Sequence, residues 1–384
     1  MPKQKENIQK QKENIAKDEK LQYYSLKEIK KKKARYNLII GERSNGKTFA
    51  VQEEGIYNYA RTGEQMALIR RYDTDFVGKR GREMFSGVVS EGVVKKATKG
   101  EWTGISYWSS CWYFSRYDET LKKEVRSEDV FCYGFALNTQ EHDKSTSYPR
   151  ITTILFDEFL TRGFYLPDEF VTFTHTLSTI IRLRDNVIIY MCANTVNKYA
   201  PYFSEMGLKN IQKMEQDTID VYTYGDSDLK VAVEYCGTSK RLKKKSDVYF
   251  AFDNPKLNMI TKGTWEIPQY PHLTRKFTPK DIRLIYFIEF FDNVLQCEIV
   301  SLKDCTFTYI HKKTTPIRNN NDIVYSVSYS ELPYRHRNIT KPVLQYEKLI
   351  YSYYKTDKVF YQDNEIGEIV RNYLNWCKSN STIL

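Results

Sequence analysis

The sequence contains no long apolar run: no stretch approaches the 18 apolar residues that a transmembrane helix requires. Its basic N-terminus lacks an apolar segment, so we expect no secretory signal and no membrane partner. Glycine and proline are few, 17 and 11 of 384 residues, which excludes collagen-like and low-complexity chains. With 41% hydrophobic and 28% charged residues, the composition is typical of a globular protein with an apolar core.

Paired cysteine motifs are also absent. The seven cysteines are odd in number and scattered, and no two are spaced as C-x-x-C. This pattern favours reduced thiols in a cytosolic compartment over disulfides or a zinc site. The cysteines are Cys111, Cys132, Cys192, Cys236, Cys297, Cys305 and Cys377.

The net charge of +11 is concentrated at the N-terminus. Residues 1–36 contain twelve Lys/Arg and five Asp/Glu, so most of the excess lies there. The excess indicates either a polyanionic partner or a solubilising tail. Because apolar residues are sparse, we predict that 1–35 is a basic arm, a solvated helix or disordered, that includes Lys30–Lys33.

Strand and helix patterns predict an α/β domain over 36–225. Leu38–Ile40 is a continuous apolar run, as in a strand buried on both faces. Phe49, Ile56 and Ala60 then follow at helical spacing. Further strands are predicted at Met66–Arg70, Ile151–Phe156 and Val187–Cys192. This order indicates a mostly parallel sheet, into which residues 88–137 insert β-hairpins.

The C-terminal part has a different pattern. We predict a basic linker over 226–274, because five of the six residues Lys240–Lys245 are cationic. A smaller α/β domain is predicted over 275–384. It begins with a meander and ends with a helix whose apolar face is Ile366, Ile369, Val370, Tyr373 and Leu374. The meander strands are Ile282–Phe291, Val294–Val300 and Cys305–His311.

The most specific motif lies between the first predicted strand and helix. It reads Gly41-Glu42-Arg43-Ser44-Asn45-Gly46-Lys47-Thr48 and matches G-x-x-x-x-G-K-[ST]. In such a loop the glycines let successive backbone N–H groups point at a phosphate, and the helix N-terminus adds its dipole. Lys47 is expected to reach the β- and γ-phosphates, and the Thr48 hydroxyl to bind Mg²⁺.

A second motif completes this chemistry. The strand Thr152–Phe156 runs directly into Asp157 and Glu158. Asp157 is expected to hold Mg²⁺, and Glu158 to polarise the attacking water. An acid pair beside a phosphate-binding loop predicts an ATPase with ATP and Mg²⁺ as cofactors.

Several polar residues are further candidates. Asn194 ends a strand and either senses the γ-phosphate or caps the following turn. Arg70 and Arg71 end another strand at the edge where ligands bind in open α/β sheets, so sensing or charge pairing is expected. A cation supplied by a neighbouring subunit is the last requirement. Arg182, Arg184 and Lys144 are alternatives for it, and ordinary surface cations are the competing interpretation.

With these residues placed, the chain resembles the bacteriophage DNA-packaging ATPases, or encapsidation proteins, of the phi-twenty-nine type, relatives of the large terminase ATPases. The resemblance covers 37–205 well and the last third loosely. Its distinctive parts are Arg70-Arg71-Tyr72, Ser147-Tyr148-Pro149 and Asn194 followed by Pro201-Tyr202-Phe203. The blocks that contain them are NLIIGERSNGKTFA (37–50), IRRY (69–72), SYPRITTILFDEF (147–159) and 181–203.

The resemblance implies a P-loop NTPase of the ASCE type in a homo-oligomeric ring of five subunits. The ring would dock transiently at the portal, or connector, of a prohead in the host cytoplasm and drive double-stranded DNA inward. A structural prohead RNA is a further implied partner. In this family Arg43 would be an extra cation of the phosphate loop, and Lys144 and Arg182 would act across subunit interfaces. Lys95–Lys96 and Lys122–Lys123 are candidates for contacts with DNA phosphates.

The resemblance also implies an RNase H-like C-terminal domain. Nuclease chemistry would need about three carboxylates around two metal ions. Glu289, Asp292 and Glu298 do not form such a set in the sequence, so a vestigial, inactive domain is predicted. Three alternatives remain open: another ring ATPase such as a helicase or partition motor, a terminase with an active nuclease, and a nucleic-acid-binding structural protein with little turnover.

Overall fold

The computed structural model describes residues 23–139, 146–225, 227–237, 265 and 268–379. The chain divides into two compact units. The second unit takes in 160–176 and 196–212, which the sequence analysis places in the ATPase domain; the sequence-based domain boundaries stay a prediction. The first unit is Met1–Phe159, Leu177–Thr195 and Lys213–Thr264, and the second is Leu160–Thr176, Val196–Gln212 and Trp265–Leu384.

One large sheet forms the first unit. Its described part has ten strands in the order β3-β4-β6-β2-β7-β8-β1-β10-β9, with β5 paired to β4. The six strands from β6 to β10 in this order are parallel, and antiparallel strands flank them on both sides. The mostly parallel α/β sheet is therefore confirmed. The strands are β1 Tyr36–Gly41, β2 Gln65–Arg70, β3 Gly104–Trp108, β4 Cys111–Asp118, β5 Lys123–Arg126, β6 Cys132–Ala136, β7 Ile151–Asp157, β8 Ile188–Asn194, β9 Thr218–Thr223 and β10 Lys230–Cys236.

Burial explains the central strands. β1, β2 and β7 have buried side chains at almost every position, as the continuous apolar runs predict. The helix after β1 covers Lys47–Thr62 and ends at Gly63, whose φ of 74° closes the helix in the left-handed conformation. Both features agree with the sequence-based prediction.

The prediction of β-hairpins over 88–137 is wrong for its first part. The α-helices between residues 23 and 103 are α1 Lys27–Lys30, α2 Lys47–Thr62, α3 Lys79–Glu83, α4 Ser86–Ser90 and α5 Val93–Ala97, and the last two fall in this first part. Strands begin only at Gly104, and Lys95 and Lys96 lie on α5. Val88, Val93 and Val94 are valines that favour strands, but here they are buried in the core against the sheet. Core packing therefore overrides their strand propensity.

The predicted solvated arm also needs correction where the structure describes it. Leu26, Ile29 and Ala34 are buried in the core of the first unit. The backbone N–H of Tyr24 donates to the Asn45 carbonyl at 2.9 Å, and its hydroxyl donates to Glu234 Oε2 at 2.6 Å. Residues 23–34 are therefore part of the folded unit, and residues 1–22 lie outside the described residues.

A smaller sheet forms the second unit. Its order among the described residues is β15-β14-β11-β12-β13-β16. The antiparallel meander β11–β12–β13 confirms the predicted one, and the other three strands add in parallel. The strands are β11 Ile282–Phe290, β12 Asn293–Ser301, β13 Thr306–Lys312, β14 Val324–Ser326, β15 Arg335–His336 and β16 Val359–Tyr361. The remaining helices are α6 Glu169–Ile181, α7 Pro201–Glu205, α8 Gln345–Lys355 and α9 Asn364–Ser379.

The final helix has the predicted apolar face. Ile366, Ile369, Val370 and Tyr373 are buried in the core of the second unit, and Leu374 packs against that core. Most of the predicted linker, including Lys240–Lys245, lies outside the described residues. Within the described ranges, no helix is long and apolar enough to cross a membrane.

All seven cysteines lie in the described ranges, and each is a free thiol. Five of them are buried. The reduced state of these cysteines stays a prediction.

The packing of residues 23–34 gives a stability prediction. Ile29→Ala should lower the free energy of unfolding by about 2–4 kcal/mol, because the side chain is fully buried and its loss leaves a cavity. Urea denaturation measures the change, with the exposed Lys27→Ala as control. If Ile29→Ala changed the free energy of unfolding as little as Lys27→Ala does, residues 23–34 would be a solvated arm and not part of the folded unit.

Candidate functional site

Four neighbouring parallel strands bring the candidate residues to one edge of the large sheet. The strands lie in the order β2-β7-β8-β1. At their carboxyl ends are Arg70, Asp157, Asn194 and Gly41. Because all four strands run in the same direction, residues far apart in sequence converge here, where open α/β sheets bind ligands.

The loop from β1 to α2 has the geometry of a phosphate-binding loop. A Cβ atom on Gly41 would lie 2.3 Å from the Cys236 carbonyl oxygen, so no larger residue fits. Gly46, with φ of 96°, precedes the first residue of α2 and adopts a conformation that favours glycine. The loop thus leads directly into a helix N-terminus, which favours a bound anion. Ser44 has φ of 59°, and the Arg43 side chain is exposed.

Lys47 lies buried within this loop. Its Nζ donates to the Glu42 carbonyl at 2.5 Å, to Asn45 Oδ1 at 3.1 Å and to Asn194 Oδ1 at 3.4 Å. Burial lowers the pKa of Lys47, and nearby anionic groups, Asp157 among them, offset part of that effect. An anion brought to this ammonium would therefore gain a strong, poorly screened interaction.

Thr48 and Asp157 converge at the start of α2. The Thr48 hydroxyl donates to Asp157 Oδ1 at 2.7 Å. Both are hard oxygen ligands of the kind that Mg²⁺ prefers, so these residues fit the metal that the motif implies. Burial raises the pKa of Asp157, while the Arg70 guanidinium and the Thr48 hydrogen bond lower it in part. A divalent cation would stabilise the ionised form.

Arg70 bridges the two acids. Its Nη1 donates to Asp157 Oδ2 at 2.9 Å, its Nη2 to Glu158 Oε2 at 2.8 Å, and its Nε to Asp75 Oδ2 at 3.2 Å. Burial alone would lower the pKa of Arg70, but the three carboxylates outweigh it and raise the pKa. The predicted charge pairing of Arg70 at the site is present in this geometry.

Glu158 differs from Asp157 in its surroundings. Its side chain is 62% exposed, whereas that of Asp157 is 15% exposed. Its φ of 58° is left-handed, and its N–H donates to the Cys192 carbonyl at 2.8 Å. This backbone conformation, which is unfavourable for a non-glycine residue, turns Glu158 away from the strand direction. Glu158 is thus the more accessible carboxylate of the pair.

A cavity of about 240 Å³ lies between these groups. The phosphate loop lines one side of the cavity, and the acid pair and the end of β8 line the other. The sequence-predicted residues Ser44, Asn45, Gly46, Lys47, Thr48, Asp157, Glu158 and Asn194 all line it, together with Phe49 and Ala193.

Arg71 has a different environment from the one we expect from the sequence. Its guanidinium donates to the main-chain carbonyls of Glu158 at 3.3 Å and Phe159 at 2.7 Å. The side chain is buried. Arg71 therefore holds the backbone that carries the acid pair, and its role in sensing or charge pairing stays a prediction.

Arg182 and Arg184 lie at the opposite end of β7 from the acid pair. Arg184 bonds to the Ile151 carbonyl at the start of the strand, whereas Asp157 ends it. Six residues of strand span about 20 Å. The structure does not bring these two arginines to the cavity of their own chain. Lys144 lies outside the described residues.

Arg184 is held within its own chain, and its role as the cation supplied to a neighbouring subunit stays a prediction. Its guanidinium is partly buried and donates five hydrogen bonds to main-chain carbonyls, which fix it in place. Arg182 is exposed, and its Nη2 donates to the Thr146 carbonyl at 3.0 Å. Arg182 and Leu183 have left-handed φ angles of 43° and 66°. Each such residue costs about 1–2 kcal/mol.

Two contacts at the site were not evident from the sequence. The Asn45 side-chain amide donates to Cys236 Sγ at 3.1 Å, and its oxygen accepts from Lys47. Asp75 adds a third carboxylate to Arg70. Cys236 is 191 residues from Asn45, and only the parallel pairing of β1 with β10 brings them together. No local motif signals that contact.

The large, mostly parallel sheet and the helices that connect its strands define the class of the first unit as an α/β protein. Comparison with known proteins is more specific. Residues 124–241 match the family described as Podovirus DNA encapsidation protein (Gp16). The chain is 27% identical over 177 residues to the DNA packaging protein of Bacillus phage B103 and 26% identical over 172 residues to that of Bacillus phage phi29. The predicted resemblance to phage encapsidation proteins is therefore confirmed.

These alignments cover 45% and 44% of the chain, respectively. The chain spans about half the length of the curated relatives it matches, 48% and 45%. The chain is also similar in fold to solved packaging motors of bacteriophages Phi-28 and Phi-29. The Phi-28 gp11 DNA packaging motor has a TM-score of 0.54 at 17% identity over 93% of this chain and 98% of that one. The Phi-29 viral genome packaging motor assembly has a TM-score of 0.54 at 16% identity, over 92% of this chain and 99% of that one.

The buried Lys47 gives a ligand-binding prediction. Wild-type protein should gain thermal stability with Mg²⁺ and ATP, by about 2.7 kcal/mol at a hundredfold excess over Kd. Lys47→Met should lose most of this gain, because the ammonium that meets the phosphates is gone. Thermal unfolding with and without nucleotide measures the effect, and Lys99→Met on an exposed turn is the control. An equal gain for Lys47→Met and wild type would exclude the loop as the nucleotide site.

Proposed function

We propose that this protein is the ATP-hydrolysing motor that moves double-stranded viral DNA into a preformed prohead. One observation carries the proposal: the phosphate loop places Lys47 and Thr48 against the acid pair Asp157–Glu158 across one cavity. The relatives of similar sequence, DNA packaging proteins of Bacillus phages, supply the biological context. The Phi-29 motor, of similar fold, is described as a viral genome packaging motor assembly.

The proposed substrate is ATP with Mg²⁺. When bound, Mg²⁺ would neutralise charge that develops on the phosphates, with Thr48 and Asp157 as its protein ligands. The loop glycines allow the backbone N–H groups to face the phosphates. Lys47 contributes a desolvated positive charge, and Asn194, already 3.4 Å from Lys47 Nζ, is the residue placed to report the γ-phosphate.

Glu158 is the proposed general base. Its exposed carboxylate lines the cavity and can accept a proton from a water on the phosphate side. Its Oε2 atom is paired with Arg70 Nη2, at 2.8 Å. We infer that Arg70 releases Glu158 when nucleotide occupies the cavity, while its contact with the buried Asp157 is maintained or replaced by the metal.

The last cation is proposed to come from a neighbouring subunit. Arg182 contacts the Thr146 carbonyl, which precedes β7, and the strand itself separates its first residue from Asp157 by about 20 Å. Arg182 is therefore too far to serve its own site. A ring solves this geometry, because each subunit can present Arg182 to the next one. The ring of five subunits and a second interface cation, Lys144, are part of this proposal.

DNA contacts in such a ring should be to phosphates, since translocation must ignore sequence. Lys122–Lys123, at the start of the short edge strand β5, and Lys95–Lys96 on α5 are exposed candidates. The portal of the prohead and a structural prohead RNA are the other proposed partners. Docking at the portal would take place in the host cytoplasm.

The second unit is proposed to be an inactive RNase H-like domain. A central antiparallel meander, with β14 and β15 added in parallel beside β11, supports this fold. Glu298 pairs with His311, and Glu289 pairs with Arg335. Glu298 lies opposite Ile285, four residues along β11 from Glu289. That separation is about 14 Å along the strand. Among the described residues, no group of three or more His, Cys, Asp or Glu side chains could hold a metal ion.

Other assignments of the same ATPase chemistry predict different results. A helicase or partition motor would not bind proheads that carry a portal, whereas this protein should. A terminase with an active nuclease would nick plasmid DNA in Mn²⁺. A structural protein with little turnover would not hydrolyse ATP.

The base assignment predicts the effect of one conservative change. Glu158→Gln should lower kcat for ATP hydrolysis by about 10²–10⁴-fold, because the amide accepts no proton. Nucleotide affinity should stay within about threefold, since Lys47 and Thr48 are intact. Steady-state ATPase assays and nucleotide binding measure the two effects. The exposed Glu91→Gln is the matched control. Normal turnover by Glu158→Gln would remove Glu158 from the mechanism.

The assignment of Arg182 to the neighbouring site predicts complementation. Arg182→Ala alone should lose at least about a hundredfold in ATPase rate. Mixed with Glu158→Gln subunits, about a quarter of interfaces in a 1:1 ring would combine an intact Glu158 with an intact neighbouring Arg182. The mixture should recover activity that neither variant has alone. No recovery at any ratio would contradict action across the interface.

A further inference from the structure

The turn after α6, at Arg182 and Leu183, has a strained backbone. Its residue types are not those that adopt this conformation easily. Arg182 and Leu183 both have left-handed φ angles, and neither is glycine, asparagine or aspartate. Strained backbone of this kind persists only where surrounding contacts enforce it, and it concentrates at functional sites. We therefore expect the side chains of Arg182 and Leu183 to have a function that depends on this backbone conformation.

Leu183 is unusual in its exposure. Its relative accessibility is 104%, the highest among the described large hydrophobic residues. A single exposed leucine is ordinary on a protein surface. This one, however, stands fully in water at a strained position where glycine would be more stable. Stability of the isolated chain does not explain the leucine.

Arg184 is what holds the turn in this conformation. It donates from Nε to Ile181, from Nη1 to Ile151 and from Nη2 to Ile180, at 3.1, 2.5 and 2.9 Å. Two more bonds reach the Pro149 and Tyr148 carbonyls, each at 3.1 Å. The fork ties the end of α6 to the start of β7. Arg182 and Leu183 are thereby presented rigidly at this end of the sheet.

The opposite end of the sheet has exposed apolar side chains close to carboxylates, which complement a leucine beside an arginine. Tyr72 is 41% and Val77 is 66% exposed, and they flank the turn Asp73–Phe76. Asp75 in that turn bonds to Arg70, so the two apolar side chains lie in the segment that borders the acid pair. One end thus carries an apolar side chain beside a cation, and the other carries apolar side chains beside carboxylates.

We propose that the turn Arg182–Leu183 docks on a second copy of this chain, with Leu183 packed against Tyr72 and Val77 of that copy. Arg184 is the positioning residue that keeps the turn in its docking conformation. Leu183 would then seat Arg182 towards the neighbour's acid pair. Two different surfaces meet in such a contact, which is the head-to-tail type of interface that closes into rings. The inference rests on the proposed function for the role of Arg182, but the contact itself can be tested without it.

Cysteine cross-linking tests the contact directly. Full-length Leu183→Cys and Val77→Cys chains are mixed with a short bifunctional maleimide in the presence of Mg²⁺ and a non-hydrolysable ATP analogue. A covalent dimer should form at least several-fold more than with Leu349→Cys and Val77→Cys, where Leu349 is an exposed leucine of α8. The control also accounts for the partly exposed Cys111 and Cys305. No excess of dimer over the control would overturn the proposal.

A second measurement separates docking from folding. Leu183→Gly should raise the melting temperature of the dilute chain, because glycine relieves the left-handed strain. The same change should raise the protein concentration needed for ring assembly by about tenfold or more, through loss of a buried leucine. Leu349→Gln should leave assembly unchanged. Wild-type assembly by Leu183→Gly would overturn the proposal.

Failure of the proposed ATPase function can be distinguished from failure of the docking proposal. Its failure would appear as a lack of hydrolysis by wild-type protein even where cross-linked rings form. Arg184→Lys, which cannot form the planar fork, should lower kcat while leaving KM for ATP within about twofold, because the substrate-binding loop is untouched. A change in KM alone would contradict the positioning role of Arg184.

Discussion

Asp157 is a carboxylate buried at the end of a central strand, and it determines how the candidate site is built. A buried anion is unfavourable unless charges or hydrogen bonds compensate it. Its two oxygens accept from Thr48, at the start of α2, and from Arg70, at the end of β2. The Asp157 carboxylate, at the end of β7, thereby connects the phosphate loop and helix α2 with the neighbouring strand β2. A bound metal would take over part of this compensation, which couples occupancy of the cavity to the position of Arg70.

Features encoded in short contiguous segments could be predicted from the sequence. The phosphate loop, the acid pair and the meander each depend on a local pattern of apolar runs and glycines. Contacts between distant segments could not be predicted, such as Asn45 with Cys236. Nor could the packing of residues 23–34, because Leu26 and Ile29 are isolated among lysines. The valines of 88–97 indicated strands by propensity, and only the tertiary core makes that segment helical.

The two arginines after α6 show why residue type alone does not assign a role. Arg182 and Arg184 are identical in chemistry and two positions apart. One is exposed on a strained turn, and the other is fixed by five carbonyl groups. Only the fold separates them. It also places both at the end of the sheet away from the acid pair, which supports the proposal that a second chain supplies the last cation.

The dependence of ATPase rate on protein concentration tests this central claim most directly. If each site is completed by a neighbouring chain, the rate per chain should rise as the protein is concentrated and reach a plateau when rings are formed. Light scattering on the same samples should show assembly over the same range. A rate per chain that stays constant from the monomer to the ring would contradict the account.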